Sequence, residues 1–217
     1  MASETEIQEI ETLICREAEG HGYPVPREAA RAMAQHLAMT LRWGRIAGLT
    51  AIDSVEEAVR RHVVESIASA AWIEADRGPL LDVGSGNGYP AIPIKCLHPA
   101  LSAILLEPAL KKSIFLRQVA SSLSFEKVDV RRERIDRGAD LGRHAPLGTI
   151  SMRAVAVARA VIDGAPAALA PGGRVVLLIG DGTAKEVLAA LPRGLRLVEQ
   201  AALPGRRRAS LVVIEKE

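Results

Sequence analysis

The sequence predicts an α/β fold, a doubly wound, mostly parallel seven-stranded sheet with an N-terminal helical extension, and two observations predict it. From Pro79 onward short aliphatic runs alternate with helix-length segments, the pattern of parallel strands joined by crossover helices. The first of those runs, Leu80-Leu81-Asp82-Val83, passes directly into the glycine-rich turn Gly84-Ser85-Gly86-Asn87-Gly88; a doubly wound sheet takes its ligands at such carboxyl ends of strands. A chain of 217 residues suits one core with a helical extension, divided as residues 1–75 and 76–217, and is short for two catalytic domains.

In chain order, residues Glu4 to Glu19 and Arg27 to Ile46 read as helices, separated by His21-Gly22-Tyr23-Pro24-Val25-Pro26, whose glycine and prolines stop helical continuation. A third helix starts at Ser54, with Glu57 placed to complete a capping box and Val55, Val59, Val63, Ile67 and Ala70 forming an apolar stripe toward the main domain. The strand-sized runs are Leu80 to Val83, Ala103 to Leu106, Lys127 to Val130, Thr149-Ile150 and Val175 to Ile179. A helix over Ala184 to Leu191 follows, and Leu195 to Val198 and Ser210 to Ile214 close the chain as an edge hairpin around Arg206-Arg207-Arg208. No repeat or low-complexity segment interrupts this order.

Composition narrows the class. The chain is 48% hydrophobic, 25% charged and only 3% aromatic, a globular balance built on aliphatic residues. Its longest apolar runs fall far short of the roughly 20 residues that span a bilayer, and Met-Ala-Ser-Glu-Thr-Glu lacks the basic-then-apolar order of a secretory signal, so a cytoplasmic protein is expected. Cys15 and Cys96 sit in separate helical segments without metal-ligand spacing, so both are expected reduced and packed, with no metal bound. The net charge of +2 is compatible with an RNA partner but does not require one.

The glycine turn carries the first functional signal. Gly84, Gly86 and Gly88 let a ligand approach the backbone, and Asp82 stands just before them, where a carboxylate meets a cationic amino-acid moiety or orients loop amides. A dinucleotide fingerprint, G-x-G-x-x-G, would need a third glycine where this chain has Tyr89; the observed G-x-G-x-G favours S-adenosylmethionine over NAD. Glu107 ends the next strand roughly 20 residues later, the interval expected of an acid that accepts from ribose hydroxyls. The competing reading of Glu107 is a favourable charge at a helix start.

Together with the turn, several ordered segments resemble the bacterial 16S ribosomal RNA guanine-N7 methyltransferases, the RsmG family, also known as glucose-inhibited division protein B. They are Trp43-Gly44-Arg45-Ile46-Ala47-Gly48-Leu49-Thr50-Ala51-Ile52, Arg61-His62-Val63-Val64-Glu65-Ser66-Ile67, Tyr89-Pro90-Ala91-Ile92-Pro93-Ile94, Glu107 with Lys111-Lys112 and Phe115-Leu116, Arg134-Ile135-Asp136, and Ser151-Met152-Arg153-Ala154-Val155. The resemblance implies a cytoplasmic, monomeric methyltransferase that converts S-adenosylmethionine to S-adenosylhomocysteine and acts on ribosomal RNA or the assembled small subunit. It further implies that Gly84, Tyr89, Ile135, Asp136 and Arg153 line the cofactor pocket, with Glu107 at the ribose. Departures from the family pattern are Gly44 and Gly48 in place of asparagines, Glu65 in place of aspartate, Ala91 in place of glycine, and no lysine before Gly180.

Guanine N7 has a free lone pair and no proton, so its methylation needs alignment more than a general base. Arg153 is the expected catalytic residue, its forked donors suiting the cofactor carboxylate or guanine O6, against a plain structural salt bridge. His62 is expected to pack rather than to act as a base. Arg131-Arg132-Glu133-Arg134, Lys111-Lys112 and the Arg206 to Arg208 loop are candidates for RNA phosphates, and Tyr89 and Trp43 are the aromatic residues to watch for base stacking. Two alternatives remain open: a small-molecule methyltransferase on the same fold, and a non-catalytic S-adenosylmethionine-binding ribosome-assembly factor.

Overall fold

The computed structural model describes residues 3–47, 52, 54–153, 156–206 and 208–217. Its elements run α1 (Glu4–Gly20), α2 (Arg27–Ala47), α3 (Val55–Ala58), a π-helical segment (Val59–Val64), α4 (Glu65–Ala70), β1 (Leu80–Val83), α5 (Ala91–Leu97), β2 (Ala103–Leu106), α6 (Leu110–Ser122), β3 (Val128–Arg131), a 3-10 turn (Gly138–His144), β4 (Leu147–Arg153), α7 (Ala158–Ala168), β5 (Leu169–Gly180), α8 (Asp181–Ala189), β6 (Leu195–Ala202) and β7 (Ala209–Lys216). The seven strands form one sheet in the order β3-β2-β1-β4-β5-β7-β6. The pairs from β3 through β5 are parallel, and β7 runs antiparallel to both β5 and β6. The predicted fold class is therefore observed, with β7 inserted between β5 and the edge strand β6.

The alternation of β5 shows how the sheet is covered on both faces. Val175, Leu177 and Ile179 face a core shared with α7 and α8 through Val161, Ile162 and Val187. Val176 and Leu178 face the opposite core, with Ile92 and Ile94 of α5 and Phe115 and Leu116 of α6. Burying residues of this size contributes roughly 1.5–3 kcal/mol each, so the aliphatic runs that read as strands are also the main source of stability. A third cluster joins α1, α2 and the π segment through Ile14, Met33, Leu37, Val59 and Val63, and it includes Tyr89 from the glycine turn.

Ser54 caps the third helix as expected, accepting from the Glu57 amide, but the Glu57 carboxylate turns outward to Arg61 at 2.7 Å and does not close the capping box. The larger difference lies in the middle of this helix. Val59–Val64 adopts a π turn, with the Glu65 amide donating to the Arg60 carbonyl five residues back. Apolar periodicity cannot reveal this, because the stripe Val59, Val63, Ile67 and Ala70 is buried either way. Such single π turns inside helices commonly mark functional positions.

Candidate active site

A cavity of about 460 Å³ opens at the carboxyl ends of β1, β2 and β4, within the size range of small-molecule sites. Its walls include Gly84, Gly86, Tyr89, Glu107, Ile135 and Arg153. Asp82, Gly88 and Asp136 do not line it. Six of the nine expected cofactor residues are thus brought together, and the other three lie outside the lining.

The turn itself is built for backbone approach. Gly84 and Gly86 have φ of 71° and 56°, in the left-handed region that L side chains rarely adopt. A Cβ built on Gly86 would meet only the Gly84 carbonyl, at 3.7 Å, so the space above it is open. Gly88 is different: with φ of +92° its Cβ would stand 2.6 Å from Ile92 Cγ1 and 3.1 Å from His36 Nε2. The missing side chain of Gly88 leaves room for Ile92 and His36 to pack beneath the turn.

Glu107 holds the turn in place. Its buried carboxylate accepts from the Gly86 amide at 2.9 Å and, through the other oxygen, from the Ala109 amide at 2.8 Å. One side chain thereby ties β1's turn to the start of α6, and both oxygens keep lone pairs for further donors. The two readings of Glu107, binding residue and helix-start charge, are therefore compatible.

Asp82 lies behind the cavity wall. It is buried at the end of β1, where Ser151 Oγ on the adjacent β4 donates to Oδ1 at 2.5 Å, and Oδ2 has no hydrogen-bond partner among the described residues. Burial raises its pKa to about 6, opposed by the hydroxyls of Ser151 and Ser85. Its place between β1 and β4 fits it to organise the turn rather than to touch a ligand directly. Asp136 is exposed and pairs with Arg134 at 2.8 Å, while the neighbouring Ile135 is the buried wall residue of that segment.

Arg153 enters the cavity wall from the end of β4, and the π turn explains its placement. Its Nη1 donates to the Arg61 carbonyl at 2.8 Å and its Nη2 to His62 Nδ1 at 2.6 Å, so both acceptors come from the π segment. Because His62 accepts at Nδ1, it is the neutral tautomer with its proton on Nε2. Burial, then the charge of Arg153, lowers its pKa to about 3, which excludes a protonated role at neutral pH. Tyr89 is sandwiched between the rings of His62 and His36, at centroid distances of 4.8 and 4.5 Å. Both of its faces are covered, so base stacking on Tyr89 is blocked. Trp43 is likewise committed, tilted against Phe115 at 5.6 Å.

His36 is a site-forming residue that sequence reasoning missed, and Glu65 is one that it named only as a replacement for aspartate, without a role. His36 Nε2 donates to the Asn87 carbonyl at 2.8 Å, anchoring α2 to the glycine turn, and burial lowers its pKa to about 4. Glu65 is fully buried beside Arg153 and Arg206. Its position inside the run Val63-Val64-Glu65-Ser66-Ile67 was the available signal, a lone charge among apolar and small residues.

The basic clusters prove unequal. Arg131 pairs with Asp129 and Arg134 with Asp136, so two of the three arginines of the first cluster have a carboxylate beside them. In the hairpin loop Arg206 reaches Glu65 and Arg208 is exposed; Arg207, like Gly48 to Ala51, Ala154 and Val155, lies outside the described residues. Cys15 and Cys96 are free thiols packed against the helical core. Among the described residues no group of ligating side chains is arranged to hold a metal ion, and no helix is long and apolar enough to cross a membrane.

Comparison with known proteins agrees with this geometry. The family model described as rRNA small subunit methyltransferase G (GidB) matches residues 29–198. A protein of Alkalilimnicola ehrlichii named ribosomal RNA small subunit methyltransferase G is 37% identical over 175 residues, covering 81% of this chain and 77% of its own. Its namesake in Chloroflexus aggregans is 31% identical over 214 residues, covering 95% and 90%. Among solved structures, SMU.1697c from Streptococcus mutans, in complex with SAH, superposes with a TM-score of 0.53 at 14% identity, covering 69% of this chain and 94% of that one.

Proposed function

We propose, from the premise that this chain belongs to the rRNA small subunit methyltransferase G family, that it methylates N7 of a guanine in 16S ribosomal RNA, with S-adenosylmethionine as methyl donor. The observation that carries the cofactor assignment is the open glycine turn held by the Glu107 carboxylate at the rim of the cavity. The fit is physical: Gly86 leaves free space where a side chain would stand, and Glu107 keeps acceptor capacity after binding two amides. The solved structure with SAH on the same fold supports the choice of ligand.

In this reading Gly84 and Gly86 receive the cofactor against the backbone, Glu107 accepts from its ribose, and Tyr89 and Ile135 form apolar walls. Asp82, Gly88 and Asp136 act indirectly, through the turn and the surrounding packing. S-adenosylmethionine supplies an electrophilic methyl group on a sulfonium. Arg153 is fixed by two acceptors from the π segment, so its remaining donors are pre-aimed at the cavity for a carboxylate or for guanine O6. No base is required at N7, and the neutral His62, engaged by an arginine donor, is consistent with that. Residues 1–75 are read as a helical extension that supplies His36, His62 and Glu65 to the site. The names of the relatives weigh against the small-molecule and non-catalytic alternatives.

The test is incubation of purified protein with methyl-labelled S-adenosylmethionine and assembled small ribosomal subunits, followed by mapping of the labelled nucleotide, with Glu107→Ala as control. Label on a guanine N7 that is lost in the variant is expected; label confined to small molecules, or none with intact cofactor binding, overturns the proposal.

A further inference from the structure

A second recess, of about 370 Å³, lies beyond the end of β5 and is lined by Lys185 of α8, Arg206 and Arg208 of the β6–β7 hairpin, and by Asp181, Gln200 and Ser210. Its charge is unbalanced. Among the described residues Asp181 is its one carboxylate, and an oxygen of that group is occupied by the Ser210 hydroxyl at 2.7 Å. Among the same residues Lys185 and Arg208 have no carboxylate partner. Arg208 also holds its backbone at φ 70°, a left-handed conformation that is costly for a non-glycine residue and commonly accompanies function.

A single buried carboxylate links an arginine of the recess to an arginine of the cavity. Glu65 Oε1 lies 3.6 Å from Arg206 Nε on the recess side, and Glu65 Oε2 lies 3.8 Å from Arg153 Nη1 on the cavity side. One carboxylate therefore contacts an arginine of each lining, and both lie at the carboxyl ends of the parallel strands, the cavity at β1, β2 and β4 and the recess at β5. A nucleic-acid strand crossing those ends would meet the cations of the recess beside the opening into which its base must pass. Phosphate contacts of this kind set register and orientation while the base is recognised elsewhere.

We propose that this recess binds a backbone phosphate of the RNA substrate next to the nucleotide presented to the cavity, an inference that rests on the RNA methyltransferase reading above. Lys185 and Arg208 supply the free charge, and Arg206 is held in place by Glu65.

The experiment measures binding of purified 16S ribosomal RNA, with inorganic phosphate as a separate probe, across a salt series. The variant is Lys185→Gln with Arg208→Asn, asparagine being chosen because it tolerates the left-handed backbone. A charge-matched control, Lys127→Asn with Arg193→Gln, removes two exposed cations from the amino edge of the sheet. The expected result is a salt slope smaller by about 0.7, the value for one phosphate contact to a single strand, in the recess variant alone. Thermal unfolding and S-adenosylmethionine affinity stay at wild-type values. Equal slopes in both variants, no change in either, no RNA binding by the wild type, or a recess that takes inorganic phosphate without affecting RNA overturns the proposal. RNA binding with the expected slope change but no methyl transfer upholds the recess and counts against the methyltransferase reading instead.

Discussion

Glu65 and Arg153 face each other at 3.8 Å across the wall of the cavity, and the carboxylate is buried with neither oxygen hydrogen-bonded among the described residues. Burial pushes its pKa up to about 6, with Arg153 and then Arg206 pulling the other way. Removing one member of a buried pair leaves uncompensated charge and costs about 3–5 kcal/mol. Glu65→Ala is therefore expected to lower unfolding stability by that amount in urea titration.

The same residue has a signed pH dependence. A folded pKa raised from 4.5 to about 6 contributes stability that is present below the unfolded value and is lost as pH rises through 6. The advantage of wild type over Glu65→Gln should shrink by roughly 2 kcal/mol between pH 4 and pH 7. A flat difference in denaturation curves across that range would show that Glu65 does not titrate this way.

His36 behaves in the opposite sense. Its folded pKa is lowered from 6.5 to about 4 by burial, so its contribution is present above pH 6.5 and lost as pH falls through 4. Wild type should lose on the order of 3 kcal/mol more than His36→Gln between pH 7 and pH 4. Equal acid unfolding of the two proteins in a pH-jump fluorescence series would refute it.

The glycines of the turn should separate by phenotype. Gly88→Ala brings a Cβ 2.6 Å from Ile92 and is expected to cost about 1–3 kcal/mol by overpacking, visible as a lowered Tm. Gly86→Ala meets open space but must hold the left-handed φ of 56°, at a cost of about 1–2 kcal/mol, so what sets it apart should be a rise of tenfold or more in the Kd for S-adenosylmethionine, measured by calorimetry. The reverse pattern would mean that the ligand does not approach the turn.

Glu107→Ala removes an acceptor from the Gly86 and Ala109 amides. Hydrogen bonds to a charged group contribute about 1.5–3 kcal/mol, so cofactor affinity should fall on the order of 100-fold, with a smaller loss for Glu107→Gln. An unchanged Kd would remove Glu107 from the site.

Much of this architecture was legible because it is written in periodicity. The strands announced themselves as aliphatic runs, and the glycine turn with Glu107 one strand later located the cavity. What stayed hidden depends on geometry that no spacing encodes. Gly88 is chemically the same as Gly86, yet only the packing of His36 and Ile92 against it shows its different task. Asp136 and Ile135 are neighbours, and their opposite exposures follow from the path of the loop after β3. The arginines of residues 131 to 134 read as a basic patch until their partners Asp129 and Asp136 are seen beside them.

The π turn at Val59–Val64 places the Arg61 carbonyl and His62 Nδ1 together in front of Arg153. Such a turn holds one residue more than an α turn, so the arrangement is stored in the residue count of the helix. Deleting any one residue between Val59 and Val64 would let the helix wind regularly with its flanks still in phase, and the two acceptors would no longer stand together in front of Arg153. The segment can thus accept changes of side chain more readily than changes of length, and its functional information is a register rather than a motif.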